Sequence, residues 1–279
     1  MRNNRFFILA LVFAGLSGSA AFALDPIGPP AVDLKRGQLG AQVLYSYTKM
    51  DLELSDGKWS AHVGGVFQDA GEAIPITIKD FEINKVCAGL EFGADDNGTA
   101  FLRLGATRAK FGDSIWRAGE EFDGSTDFTI GGGAKATLLE RGNLELGVVL
   151  QASWSRFDGK LGADDWFADD VIRMDLAELQ IAAGATQKWS ESMWIYGGPF
   201  VYYLKGEFED TYTVLRGTEG PIIGSTLGVW EYSWEIDQGP LYGFFLGAKL
   251  ELTEDSILNL EYQYSSDASA FGASLILPY

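Results

Sequence analysis

Three sets of residues in this chain have types and spacings that could do chemistry. The first is its single histidine, His62, in Trp59-Ser60-Ala61-His62-Val63-Gly64-Gly65, with Ser60 two positions earlier. Serine beside histidine is the raw material of a base-activated nucleophile, but a working dyad also needs a group that orients the imidazole. Two residues in one loop do not supply that, and a solvated loop histidine accounts for them equally. The second set is Asp164, Asp165, Asp169 and Asp170, gathered around Trp166-Phe167. Four carboxylates could surround Ca²⁺, which takes six to eight oxygens, yet the ligand spacing and turn glycine of a dedicated calcium loop are missing. They form a weak metal candidate, and a solvated acidic loop is the plainer reading. No motif calls for a cofactor. The third set is Lys85, Glu91, Arg103, Lys135, Glu145, Lys205, Lys249, Glu251 and Glu261, charges set singly inside otherwise apolar segments. Enclosed together, such charges must pair, because an isolated buried ion is costly.

The elements that would hold these residues repeat with period two. Leu144, Leu146, Val148, Leu150, Ala152 and Trp154 fall on one parity, and Glu145, Gly147, Val149, Gln151, Ser153 and Ser155 on the other. The split recurs in Phe128 to Leu138, Tyr242 to Leu252 and Leu258 to Tyr264. Alternation of this kind is the mark of strands with one apolar face. Ten strands are expected, near 38–53, 77–93, 99–111, 126–139, 143–157, 172–188, 193–209, 238–252, 256–265 and 269–278, with eight or twelve as the alternatives. Gln151, Gln180 and Gln263 share the polar face with the nine charges, giving an expected small polar interior.

Short and long connections alternate. Asp95-Asp96-Asn97-Gly98, Glu140-Arg141-Gly142-Asn143, Ser190-Glu191-Ser192 and Glu254-Asp255 have tight-turn compositions, while 54–76, 112–125, 158–171 and 210–237 are long. A closed antiparallel up-and-down transmembrane β-barrel alternates in this way. Trp189 and Trp194 flank one short turn, and Trp154 and Tyr264 lie near long-loop ends, as interfacial girdles would. The runner-up is a soluble periplasmic barrel or sandwich with the apolar face inside.

The first residues point to export. Arg2 and Arg5, the apolar run Phe6 to Ala14 and Ala21-Phe22-Ala23 have the order of a signal peptide over 1–23. A short Pro-containing periplasmic arm is expected over 24–37 and the barrel over 38–279. Losing Arg2 and Arg5 leaves 19 basic against 39 acidic residues and moves the formal charge from −18 to −20. Nucleic-acid binding wants the opposite sign. Cys87 stands alone, so no intrachain disulfide forms.

The leader, the alternating turns and loops, and the closing strand Phe271-Gly272-Ala273-Ser274-Leu275-Ile276-Leu277-Pro278-Tyr279 resemble the small bacterial outer-membrane β-barrel superfamily, of which outer-membrane protein A-type barrels are members. A barrel without the peptidoglycan-binding domain that follows some such members is expected. The resemblance implies an outer-membrane location with both termini periplasmic. It makes Phe271, Leu275, Leu277 and Tyr279 a signal read by the barrel-assembly machinery, with Pro278 a small departure. Lipid and lipopolysaccharide are then the surroundings, and the acidic, Trp-bearing loops could meet an extracellular ligand. A structural or surface-interaction role with a largely plugged lumen follows. The alternatives are a narrow cation-preferring channel and, more remotely, a lipid hydrolase at the barrel rim.

Overall fold

The period-two segments become twelve antiparallel strands in the computed structural model, which describes residues 25–112, 121–161, 167–214, 228–253 and 255–279. In chain order they are β1 (Leu39–Val63), β2 (Val66–Ala73), β3 (Ile76–Asp95), β4 (Gly98–Phe111), β5 (Phe122–Asp123), β6 (Asp127–Arg141), β7 (Leu144–Leu161), β8 (Phe167–Ser190), β9 (Met193–Val214), β10 (Gly228–Thr253), β11 (Ser256–Ser265) and β12 (Ala268–Pro278). All but β2 and β5 close into a ring, in which β12 returns to β1 from Gly40↔Pro278 to Met50↔Ala268. The strands expected from alternation are those ring strands. β2 is a hairpin partner of upper β1, and β5 is a two-residue strand on β4. β1 starts and β12 ends on the side of the tight turns, where Tyr279 N donates to Leu39 O at 2.8 Å.

The wall reverses its polarity along its height. Near the turn end, outward positions are apolar: Val86, Leu90 and Phe92 on β3, Leu102 and Leu104 on β4, Leu146, Leu150 and Trp154 on β7, Tyr242, Phe244 and Leu246 on β10. Leu150 and Leu246 are 51% and 63% exposed, so this face is not a core. From Leu144 to Trp154 a strand tilted by about 40° climbs about 25 Å, the height of a barrel's lipid band. Beyond the band, outward positions turn charged. On β8, Leu179 and Ile181 give way to Asp175 and Arg173, and on β9, Tyr203 gives way to Lys205, Glu207 and Glu209. Inside, the change runs the other way. Lys85, Glu178 and Gln180 line the turn half, while Met50, Leu52, Leu54, Phe81, Ile172, Met174 and Leu176 fill the loop half. The expected polar interior is therefore confined to one half. The loop half is packed as in a water-soluble protein, because its outer face meets water.

Segments 54–76, 158–171 and 210–237, expected as loops, consist in large part of strand, since the ring strands run on past the band. The hairpin β11–β12 stops short, and above it β1 and β10 pair directly from Leu54↔Ile236 to Val63↔Gly228. A bulge between Gln238 and Leu241, holding Gly239-Pro240, lets β10 step across. The seam is tied where Gln238 Nε2 donates to Asp51 O (2.7 Å) and Asp51 N donates to Asp267 O (3.3 Å).

The reversal has a measurable consequence. Leu150→Arg should lower unfolding free energy in lipid vesicles by about 2–4 kcal/mol, the cost of a basic side chain at mid-band. Arg173→Leu, on the upper wall, should change it by less than about 0.5 kcal/mol. Equal small effects in a urea titration would place the lower wall in water.

Candidate functional site: a lumen filled from both ends

The segment expected over 24–37 as a short periplasmic arm is described from residue 25, and residues 25–38 run inside the turn half of the barrel. Ile27 and Leu34 are fully buried there. The arm brings backbone N–H and C=O groups into an enclosed space, and the wall satisfies them. Ile27 N and Gly28 N donate to the two carboxylate oxygens of Glu261, each at 2.8 Å. Gln151 Nε2 and Gln263 Nε2 donate to Asp25 O at 2.8 and 3.0 Å, and Val32 N donates to Thr137 Oγ1 at 2.9 Å. Inward glycines make room. A Cβ at Gly147 would collide with Pro30 O, and one at Gly272 with the Pro26 ring.

Charge is settled in two groups. Lys85 Nζ lies 2.6 Å from Glu178 Oε1 and 3.3 Å from Asp25 Oδ1, with Lys85 1% exposed. Beside it, Arg103 donates to Gln42 Oε1 (3.1 Å), Gln151 Oε1 (3.3 Å) and Pro26 O (3.4 Å) and lies 4.3 Å over the Phe101 ring. Amides extend the network, as Gln151 donates to Gln180 (2.6 Å) and Gln180 to Gln263 (2.8 Å). Nearer the turn-end mouth, Lys249 Nζ pairs with Asp33 at 2.5 Å and sits 4.8 Å over the Trp194 ring. Lys85 and Lys249 thus each bind an arm carboxylate, one at the start of the arm and one past its middle.

Above the network the loop half closes with rings. Phe111 stacks on Phe122 (4.7 Å), Phe81 meets Phe157 edge-on (6.2 Å) and Phe208 meets Trp234 edge-on (5.7 Å). The stack continues to the rim through Trp234–Tyr232 (5.4 Å), Tyr232–Tyr212 (5.8 Å) and Tyr212–Trp230 (5.8 Å). An aqueous path would have to cross both layers.

Of the nine charges assigned to the lumen, Lys85, Glu91, Arg103, Lys135 and Glu261 are buried in it, Lys249 nearly so, and Glu145 lies half-buried at the turn end. Two do not belong. Lys205 points outward, 71% exposed, and pairs with Asp237 at 2.9 Å. Its strand reaches the water-facing upper wall at that position, so a charge there needs no interior. Glu251 is exposed where β10 emerges at the turn end. Glu178 was missing from the set, although it shares parity with Gln180 two residues on. The apolar neighbours on that parity, Leu176 and Ala182, conceal it. Asp25 and Asp33 carried no signal, because nothing in an extended Pro-containing segment says that it folds inward.

Ser60 Oγ donates to Glu231 Oε2 at 3.3 Å, and His62 Nε2 lies 3.8 Å from the same oxygen, with its ring edge-on to Phe67 (5.7 Å). Both side chains turn to a carboxylate rather than to each other, which is not the geometry of an activated serine. Of the acidic cluster, Asp164 and Asp165 lie outside the described residues. Asp169 and Asp170 are in β8, opposite Thr213 and Tyr212.

The fold and the site together define a plugged antiparallel β-barrel with a lipid-type band. Among solved structures the chain is similar to the outer membrane protein OprG from Pseudomonas aeruginosa, with a TM-score of 0.42 and 9% identity over 88% of this chain and 97% of that one. It is also similar to the translocator domain of the autotransporter NalP from Neisseria meningitidis (0.39, 11%, 99% and 95%) and the toluene transporter TbuX from Ralstonia pickettii (0.38, 10%, 94% and 95%). No protein-family model and no curated protein sequence matches the chain.

Removing the cation of the buried triad should cost more than removing the triad. Lys85→Met leaves Asp25 and Glu178 facing each other, and a loss of about 3–5 kcal/mol is expected. Adding Asp25→Asn and Glu178→Gln should restore much of it, a coupling read in denaturant titrations of the single and combined variants.

Proposed function

We propose that the chain is an outer-membrane β-barrel of a Gram-negative-type envelope with a structural and surface-interaction role, not a solute pathway. The observation that carries this reading is the double closure of the lumen: the arm and its polar network in one half, the aromatic packing in the other. The apolar exterior supports membrane residence, since a closed ring satisfies every ladder group without water. Tight turns and β-ends on one side then lie in the periplasm, and the tall charged rim stands at the cell surface, the leader over 1–23 having directed export. Outer-leaflet lipid and lipopolysaccharide surround the band.

A narrow cation-preferring channel is the second reading, favoured by the lumen charges. It requires an open path, and Lys85, Lys249 and Glu261 are instead engaged with the arm, Lys85 also with Glu178. In the closing strand, Phe271, Leu275 and Leu277 share the lipid-facing parity, and Tyr279 is 74% exposed beyond it. That arrangement supports an assembly signal, since all four side chains are available from outside.

Purified, folded protein should give no unitary conductance in planar bilayers. Deleting 25–37 should still give none, because the aromatic layer remains. Conductance should appear only when that deletion is combined with Phe81→Ala, Phe111→Ala and Phe208→Ala. Steady channels in the unmodified protein would replace this reading with the second. For the strand signal, Phe271→Ala with Tyr279→Ala should cut assembly in cells several-fold, with refolding into detergent unchanged.

A further inference from the structure

The upper wall carries a groove of about 420 Å³ on its outward face. Its floor is a row across four strands: Arg173 on β8 opposes Glu209 on β9, Glu209 opposes Ser233 on β10, and Ser233 opposes Lys58 on β1. One step toward the tips, Ser60 and Glu231 sit opposite each other and are hydrogen-bonded at 3.3 Å. The inward parity of the same strands is taken by Met174, Phe208 and Trp234, so the groove opens sideways from the barrel. We propose that this groove binds an oligosaccharide carried by the outer-leaflet glycolipid, an inference that rests on the outer-membrane reading above.

Chemistry selects the ligand. These six side chains and Thr211 end in hydrogen-bonding groups, and the remaining lining residues, Trp59 and Tyr232, are aromatics with a polar tip, which leaves no aliphatic wall for an acyl chain. Two cations and two carboxylates balance, so neither a polyanion nor a polycation is favoured. Among the described residues Lys58 and Glu209 have no ion-pair partner, whereas Arg173 is 3.5 Å from Asp158 and Glu231 is engaged by Ser60 and His62. Donors and acceptors alternate from strand to strand at about 4.8 Å. A carboxylate can accept from two neighbouring hydroxyls while a cation donates to ring and hydroxyl oxygens, and charge-assisted bonds of this type are the stronger ones. A hydroxyl-rich neutral ligand uses every group. The volume lies within the range of about 300–1,000 Å³ usual for small-molecule sites.

Height selects the source. On β8 the outward series runs from Leu179 in the band through Ala177 and Asp175 to Arg173. Ala177, opposite Trp154, stands at the top of the band, so Arg173 lies about 10 Å above it at ~3.3 Å per residue and a tilt of ~40°. Phospholipid headgroups extend only about 5–7 Å beyond the hydrocarbon. They fall short of Arg173, whereas sugars attached to a lipid stand at that level beside the wall.

The test is calorimetric titration of the folded protein in detergent micelles with neutral outer-sugar oligosaccharide, released from lipopolysaccharide by mild acid and freed of phosphate. Saturable binding is expected, weakened at least tenfold by Lys58→Ala with Arg173→Ala and Glu209→Gln, and unchanged by Arg108→Ala elsewhere on the upper wall. Lipid A stripped of core sugars should not compete. Absence of saturable binding, undiminished binding by the triple variant, or equal competition by lipid A overturns the proposal, and an unrelated soluble glucan binding as tightly overturns its glycolipid source. A heat-modifiable gel shift on each sample separates the two levels. Its loss in the unmodified protein defeats the barrel reading, while its retention with no sugar binding defeats the groove alone.

Discussion

Lys85 between Asp25 and Glu178 is the contact on which the lower half of the molecule depends. An enclosed lumen has little water to solvate a cation, so a wall lysine there must bring anions with it. One comes from the wall on β8. The other comes from a segment that belongs to no strand, and drawing it in drags Pro26, Ile27 and Gly28 onto Glu261, Gln151 and Gln263. The arm is inside because its carboxylates and backbone groups complete a network that would otherwise hold unpaired charge.

The upper half answers to a different solvent. Once the strands pass the band, their outer faces meet water and carry Glu207, Glu209, Glu231 and Glu235, so the apolar residues of the same strands turn inward. One chain thus combines a membrane-type wall and a water-soluble core along continuous strands. The bulge at Gln238 to Leu241 lies where β10 changes from Glu235 and Asp237 outside to Tyr242 and Phe244 outside. Ring closure passes from β12 to β10 at nearly the same height, so shape and polarity change together.

Closure from both sides bears on function. Either layer alone would leave half of a pore, and each is held by separate forces: ion pairs and amide bonds below, stacked rings above. What stays open to the surroundings is the outside, namely a lipid-facing band and a tall rim. Surface interaction is the role we propose for such a molecule, and the sideways groove over Arg173, Glu209, Ser233 and Lys58 is where that proposal becomes specific.

The sequence by itself determined the wall. Parity in Leu144 to Trp154 and its counterparts set which residues share a face, and tight turns such as Arg141-Gly142-Asn143 set where strands reverse. Both are local properties of a backbone with a two-residue repeat, which is why Lys85, Arg103, Lys135 and Glu261 were legible as interior charges. Only the tertiary structure decided where that parity changes its meaning. An inward position is polar or apolar according to height above the band, and height depends on tilt and register across the whole ring, so Lys205 was misassigned and the aromatic layer went unseen. It also decided the place of residues 25–38. Apart from Lys85 and Arg103, their wall partners named above lie more than a hundred positions away, at Thr137, Gln151, Lys249, Glu261 and Gln263, and become neighbours only when the ring is closed.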